Sequence, residues 1–134
     1  MNTHVGARGR VRGDAGMTTV QLTVLFPVVL FWLMLIVQFG LWWHAKQVAN
    51  GAAAEAVTAA RTPSGTDLAG EQAALGYLAE SGNLSHVEVE VTRDGEVVVA
   101  IISGHAPRLV PGFAWSVTAV SQAAVERFVP AGER

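Results

Sequence analysis

Residues 20–43 read VQLTVLFPVVLFWLMLIVQFGLWW, and the interpretation of the rest of the chain depends on this stretch. Fifteen of its 24 residues are Leu, Ile, Val or Phe, and none is charged. As an α-helix it would be about 36 Å long, enough to cross the roughly 30 Å hydrocarbon core of a bilayer. We therefore predict a transmembrane helix, in which Pro27 is a break that membrane helices tolerate.

The flanking residues predict how this helix is oriented. Arg8, Arg10 and Arg12 precede it against a single acid, Asp14. Because basic residues are retained on the cytoplasmic side, residues 1–16 are predicted to be a cytoplasmic leader and residues 44–134 to be extracytoplasmic. The residues expected to anchor the other end at the headgroup level are Trp42, Trp43, His44 and Lys46.

The helix is predicted to continue beyond the membrane as an alanine-rich extension to about residue 60. Its small-residue face would let another helix approach closely, although alanine also favours a helix through intrinsic propensity alone. The residues expected to pack against a partner are Ala45, Ala49, Ala52 and Ala56. A second helix is predicted from Thr66 or Asp67 to about Ser81, because Thr and Asp are good N-caps and Gly82 ends the apolar stripe.

Residues 87–102 have the clearest strand pattern, since valines alternate with polar side chains before a turn signal at Asp94-Gly95. A two-residue turn there would pair Arg93 with Glu96 and set Val91 opposite Val98. Residues 116–128 alternate well enough for a third antiparallel strand.

The predicted fold class is therefore α+β: a single transmembrane helix with an alanine-rich extension, a short helix and a small three-stranded antiparallel sheet. The segment 106–113, which contains two prolines, is too apolar for a solvated loop, so we expect it to dock onto the sheet or onto a partner.

The sequence predicts no catalytic, cofactor-binding or metal site. Because the chain contains no cysteine, disulfides and thiolate ligands are impossible. His86 and His105 are expected near the same end of the hairpin, but no carboxylate beside them would complete a metal site. Glu88 and Glu90 are expected on a solvated strand face. A net charge of -2 does not indicate a nucleic-acid partner, and no small-molecule substrate is expected.

The order of these segments resembles the TadE-like family, small pilin-like proteins of the tight-adherence (Flp) pilus apparatus. A leader ending in RGDAG (residues 12–16) is followed by MTTVQL (17–22), which runs into the apolar helix with its early proline. VQFG (37–40) lies near the helix end. PRLVPG (107–112) and SVTAVSQAAVE (116–126) follow the alanine-rich helix and the hairpin, so the resemblance covers nearly the whole chain.

This resemblance implies a precursor that a prepilin peptidase cuts after Gly16, so that Met17 becomes the first residue of a transmembrane helix over residues 17–43. Pilin-type sequences usually carry glutamate five residues after the cut, where its carboxylate compensates an N-terminal ammonium group. Here that residue is Gln21, whose amide can form hydrogen bonds but cannot neutralise a buried charge. The departure favours a minor or priming subunit over the bulk filament protein.

The predicted function is therefore structural and not enzymatic: a membrane-anchored component in assembly of a tight-adherence pilus or a related secretion apparatus in the bacterial cell membrane. The expected partners are membrane lipid, other pilin-like or pilus assembly proteins and, if the leader is cut, the prepilin peptidase. No cofactor is expected. The alternative is an uncleaved, membrane-tethered binding or accessory domain of the cell envelope.

Overall fold

The computed structural model describes residues 14–82, 84–112 and 114–127, with side chains from residue 19 onward. The chain divides into two compact units, Met1–Ile36 and Val37–Arg134, referred to below as the N-terminal unit and the folded unit. The elements in chain order are α1 (Asp14–Ala60), α2 (Asp67–Ser81), β1 (Ser85–Asp94), β2 (Val97–His105) and β3 (Ser116–Ala124). This arrangement confirms the predicted α+β class with its long apolar helix, short helix and three-stranded sheet.

Both helices end at residues that the local sequence marks. α1 is followed by a turn that contains Pro63, which cannot continue a helix. The Thr66 hydroxyl caps α2 by accepting a hydrogen bond from the Ala69 N–H at 3.1 Å, as the sequence predicts. Gly82, in an extended conformation, ends α2. The predicted bounds of α2 are confirmed.

The sheet is an antiparallel meander in the order β1-β2-β3. Its first pairing differs from the predicted one: Asp94 pairs with Val97 and Arg93 with Val98, so Val91 lies opposite Ala100 and not Val98. The predicted register was therefore wrong by two residues. A shift of two keeps every side chain on its face of the sheet, so the alternating pattern could not distinguish the two registers.

The turn residues explain which register forms. A two-residue loop at Asp94-Gly95 in the type I′ conformation would need positive φ at both positions, but among the described residues of this hairpin turn only Gly95 has it, at +46°. Gly95 and Glu96 form the turn instead. Glycine then occupies the first central position, as in a type II′ turn, and Glu96 avoids the left-handed region.

The core of the folded unit lies between α1 and one face of the sheet. The alanines of α1 from Ala45 to Ala60 that face inward are completely buried, and Val48 and Val57 accompany them. Large β-branched residues of the sheet, Val98 and Ile102, complete the core at 0% exposure. Small residues on the helix let the sheet approach its backbone closely, so packing compensates for the little apolar surface that each alanine offers.

Two contacts of α2 and β1 hold the end of α1. Gly70 of α2 lies so close to α1 that a Cβ there would be 2.9 Å from the Ala56 carbonyl oxygen and 3.1 Å from the Ala60 Cβ. The Arg93 guanidinium of β1 donates hydrogen bonds to the carbonyl oxygens of Ala60 (3.1 Å) and Thr62 (3.2 Å) and also to that of Gly65. It thereby satisfies carbonyl groups at and just beyond the C-terminus of α1, where a positive charge is favourable.

Candidate membrane anchor and assembly surface

The N-terminal unit presents its apolar side chains outward. From residue 19 to residue 34 every described side chain is exposed, and Phe31, Trp32 and Leu33 are each more than half exposed. Over the most apolar window of α1 the mean hydropathy is 2.5 and 0% of the residues are buried. Among the described residues, α1 is the one helix long and apolar enough to cross a membrane, which fits a single-pass membrane protein.

The predicted processing site lies at the start of this helix. Gly16 and Met17 are within the first turn of α1, and their side chains lie outside the described part of the structure. Gln21 follows on a stripe with Val24, Leu25 and Val28, which line a shallow groove together with Val20. In the described part of the chain the Gln21 amide has no hydrogen-bond partner, so it is a polar group on an otherwise apolar surface. Whether the chain is cut after Gly16 stays a prediction.

The four expected interface residues fall into two pairs in the folded unit. Trp43 and His44 are exposed, and Trp43 retains 54% of its accessible surface. Trp42 donates its indole N–H to the Ser116 carbonyl oxygen at 3.3 Å, and the Lys46 ammonium donates to the Thr118 carbonyl oxygen. The two donors are four residues apart on α1, a rise of about 6 Å, and the two acceptors are two residues apart on β3, about the same distance. Because the spacings match, α1 covers the free edge of β3. Their role as membrane anchors stays a prediction.

Gln38 makes a contact that the sequence did not reveal. Its side chain is only 2% exposed. Its Nε2 donates to the Pro107 carbonyl oxygen at 3.1 Å, and its Oε1 accepts from the Leu109 N–H at 2.9 Å. The apolar loop between β2 and β3 therefore docks onto α1, and one amide side chain satisfies a donor and an acceptor of that loop.

The four alanines expected to contact a partner are at 0% exposure within the chain itself: Ala45, Ala49, Ala52 and Ala56. The close approach that their size permits is made by the chain's own elements. A partner helix could reach these alanines only if the packed elements were displaced, so in this fold the small-residue face stabilises the folded unit.

Residues that could support chemistry are few. His86 and His105 lie together, as predicted, with ring centroids 5.8 Å apart at an interplanar angle of 84°. Glu88 and Glu90 are both exposed on β1, as expected of a solvated face. No cluster of three or more metal-ligating side chains occurs among the described residues.

Comparison with known proteins gives a family match over about a third of the chain. Residues 16–58 match the family model of TadE-like proteins. Over these residues the match confirms the resemblance inferred from the sequence. It covers the exposed apolar helix and nearly all of the alanine-rich extension, whereas α2 and the sheet lie beyond it. No match was found among curated proteins or among solved structures.

Proposed function

We propose that this chain is a membrane-anchored, pilin-like subunit that acts in a minor or priming role during assembly of a tight-adherence pilus or a related secretion apparatus. The observation that carries the proposal is the exposed apolar part of α1, which lies within the TadE-like match. An apolar helix surface that is exposed from residue 19 to residue 34 needs either lipid or neighbouring apolar helices to cover it. A pilin-like subunit uses both, first in the bilayer and then in an assembly.

The position of Gln21 supports a specific kind of contact in that assembly. Its amide lies beside Val24 and Leu25 on the exposed stripe and has no partner among the described residues. In hydrocarbon an unpaired amide is costly, and a hydrogen bond to a neighbouring helix relieves that cost. Since an amide cannot neutralise an N-terminal ammonium group, Gln21 suits a subunit present in few copies better than one that forms the bulk of a filament.

The proposal includes a topology and a processing step. The arginines at residues 8, 10 and 12 favour a cytoplasmic N-terminus and an extracytoplasmic folded unit. The prepilin peptidase would cut after Gly16 and remove these arginines. The proposed role is structural and not enzymatic, which the match to TadE-like proteins over residues 16–58 supports.

The first experiment is the mass of the N-terminal peptide of the protein purified from native membranes. A mature chain that starts at Met17 would support processing. A chain that retains residues 8–16 would instead favour the alternative, an uncleaved tethered domain. That alternative is supported by the folded unit, which is compact by itself.

A second experiment tests assembly through the stripe. The chain has no cysteine, so Gln21→Cys introduces a unique site for thiol cross-linking in cells. We expect covalent adducts with another pilin-like subunit. Gln122→Cys is the matched control, because Gln122 is exposed on β3 and lies outside the apolar helix. Equal yields of adduct at both positions, or none at Gln21→Cys while the pilus assembles, would contradict the proposal.

A further inference from the structure

A cavity of about 200 Å³ lies beside the histidine pair of the folded unit. It is lined by Ser85, His86, His105, Arg108 and Ala114. It is smaller than the cavities that hold drug-sized ligands, so it suits a small group such as a phosphate. Among the described residues that line it there is no Asp or Glu, and Arg108 supplies hydrogen-bond donors and a positive charge.

Two polar groups of the cavity, on His105 and Arg108, lack partners within the described chain, whereas the Ser85 hydroxyl donates to the His105 carbonyl oxygen at 3.5 Å. His105 Nδ1 is buried and has no hydrogen-bond partner. The Arg108 guanidinium is exposed and forms no ion pair or hydrogen bond with any described residue. A buried polar atom without a partner is uncommon and calls for an explanation, and a guanidinium is shaped to bind a phosphate through two parallel hydrogen bonds. An anionic ligand would pair with the Arg108 guanidinium beside the His105 ring, which also lines the cavity, whereas the permanent charge of Arg108 disfavours a metal cation.

The backbone presents one histidine at a strained position. His86 has φ of +52°, which non-glycine residues rarely adopt, and it lies in the bulge between Ser85 and Glu88 where the β1–β2 register shifts. Bulges redirect side chains and are common beside functional sites. Here the bulged residue is the one whose ring contacts His105.

The loop that carries Arg108 is tied to the part of α1 that adjoins the apolar segment. The residues on either side of Arg108 are the two that bind Gln38, and Gln38 is only two positions beyond Ile36, the last residue of the N-terminal unit. If α1 spans the bilayer, Gln38 lies near the interface and Arg108 is held close to the headgroups. The adjacent Leu109 is 45% exposed and provides an apolar contact beside the charge.

We propose that Arg108, His86 and His105 bind the phosphate group of an anionic phospholipid and so fix the folded unit against the membrane surface. An arginine beside the headgroups can bind a lipid phosphate through two parallel charge-assisted hydrogen bonds. The inference rests on the membrane anchoring in the proposed function, but not on cleavage or on pilus assembly.

The test uses the full chain with ¹⁵N-labelled imidazoles in phosphatidylcholine nanodiscs, into which increasing fractions of phosphatidylglycerol are introduced. We expect a saturable chemical-shift change at His86 and His105, whereas any change at the exposed His44 should not saturate. Arg108→Gln should raise the half-saturating fraction about tenfold, because a charge-assisted hydrogen bond is lost. Arg127→Gln is the matched control: it removes the same charge at the opposite end of β2, where Arg127 pairs with Glu96, and should change the fraction less than about twofold.

The other outcomes overturn the assignment. A response to inorganic phosphate alone, equal to that with phosphatidylglycerol, would make this a site for a free anion and refute the lipid. A linear change shared by His44 would indicate only the general surface potential. An inserted chain with no change at either histidine would refute the site, whereas a chain absent from the nanodisc fraction would refute the membrane anchoring itself. Circular dichroism of both variants would verify that they remain folded.

Discussion

Replacing Gln38 with leucine tests whether one buried amide holds the loop between β2 and β3. Leucine has a similar volume and retains helix propensity, but it removes the donor to Pro107 O and the acceptor for Leu109 N–H. Each intramolecular hydrogen bond contributes about 0.5–1.5 kcal/mol, so two would contribute about 1–3 kcal/mol. Because Leu109 is partly exposed, water can compensate its N–H in part, and we take the middle of the range, about 2 kcal/mol.

The assay is thermal unfolding of the full chain in nanodiscs, followed by tryptophan fluorescence. Trp42 and Trp115 make an edge-to-face contact beside the docked loop, with ring centroids 6.1 Å apart, so their emission reports on the loop. For a folded unit of this size, about 2 kcal/mol lowers the unfolding midpoint by roughly 10 °C. Gln47→Leu is the control, because Gln47 is exposed on the same helix. It should change stability by less than about 0.5 kcal/mol.

Hydrogen exchange locates the effect. In Gln38→Leu the Leu109 amide should exchange roughly tenfold faster or more, while the amides of β2 that pair with β1 keep their order of protection. The docking role of Gln38 is refuted if the Leu109 amide exchanges at the same rate in both proteins. It is also refuted if Gln38→Leu melts within about 2 °C of the parent chain, because the two hydrogen bonds would then contribute almost nothing.

Three further substitutions test other contacts by thermal unfolding of the full chain. Gly70→Ala should destabilise it by about 1–3 kcal/mol, because the new methyl group meets backbone of α1, whereas Gly76→Ala, with open space around it, should stabilise it by about 0.5–1 kcal/mol. Arg93→Met should cost about 1–2 kcal/mol through the lost cap on α1, while Arg127→Met, an exposed ion pair, should cost about 0.5 kcal/mol or less. Gly95→Val should cost about 1–2 kcal/mol because φ is positive there. The corresponding contact is refuted if Gly70→Ala, Arg93→Met or Gly95→Val leaves the free energy of unfolding unchanged or raises it.

Features that depend on neighbouring residues could be predicted from the sequence. The cap at Thr66 and the stop at Gly82 act within one turn of α2, so its bounds followed directly. The alternation of valine with polar residues fixed which face of β1 is buried. The register did not follow, because a shift of two residues preserves that alternation and the choice depended on the φ angle of Gly95.

Contacts between distant residues could not be predicted in the same way. The apolar composition of residues 106–113 indicated that the loop docks, but not that its site is Gln38, about 70 residues away. In the sequence Gln38 is only a polar residue near the end of the apolar stretch, and nothing beside it marks its partner. The alanine face indicated close packing, yet composition alone cannot tell a partner helix from the chain's own sheet.

The two parts of α1 differ in what remains for other molecules to contact. Along residues 19–34 the side chains are exposed and mostly large and apolar, whereas from Ala45 to Ala60 the inward alanines are already covered. A face at 0% exposure cannot contribute to an interface without unfolding, and displacing several core elements would cost much of the 5–15 kcal/mol that a typical domain has. In the proposed assembly, contacts with other subunits would therefore involve the exposed apolar part of α1 or the outer surface of the folded unit. The cross-link at Gln21→Cys addresses the first of these two surfaces directly, whereas the mass of the N-terminal peptide reports only on processing.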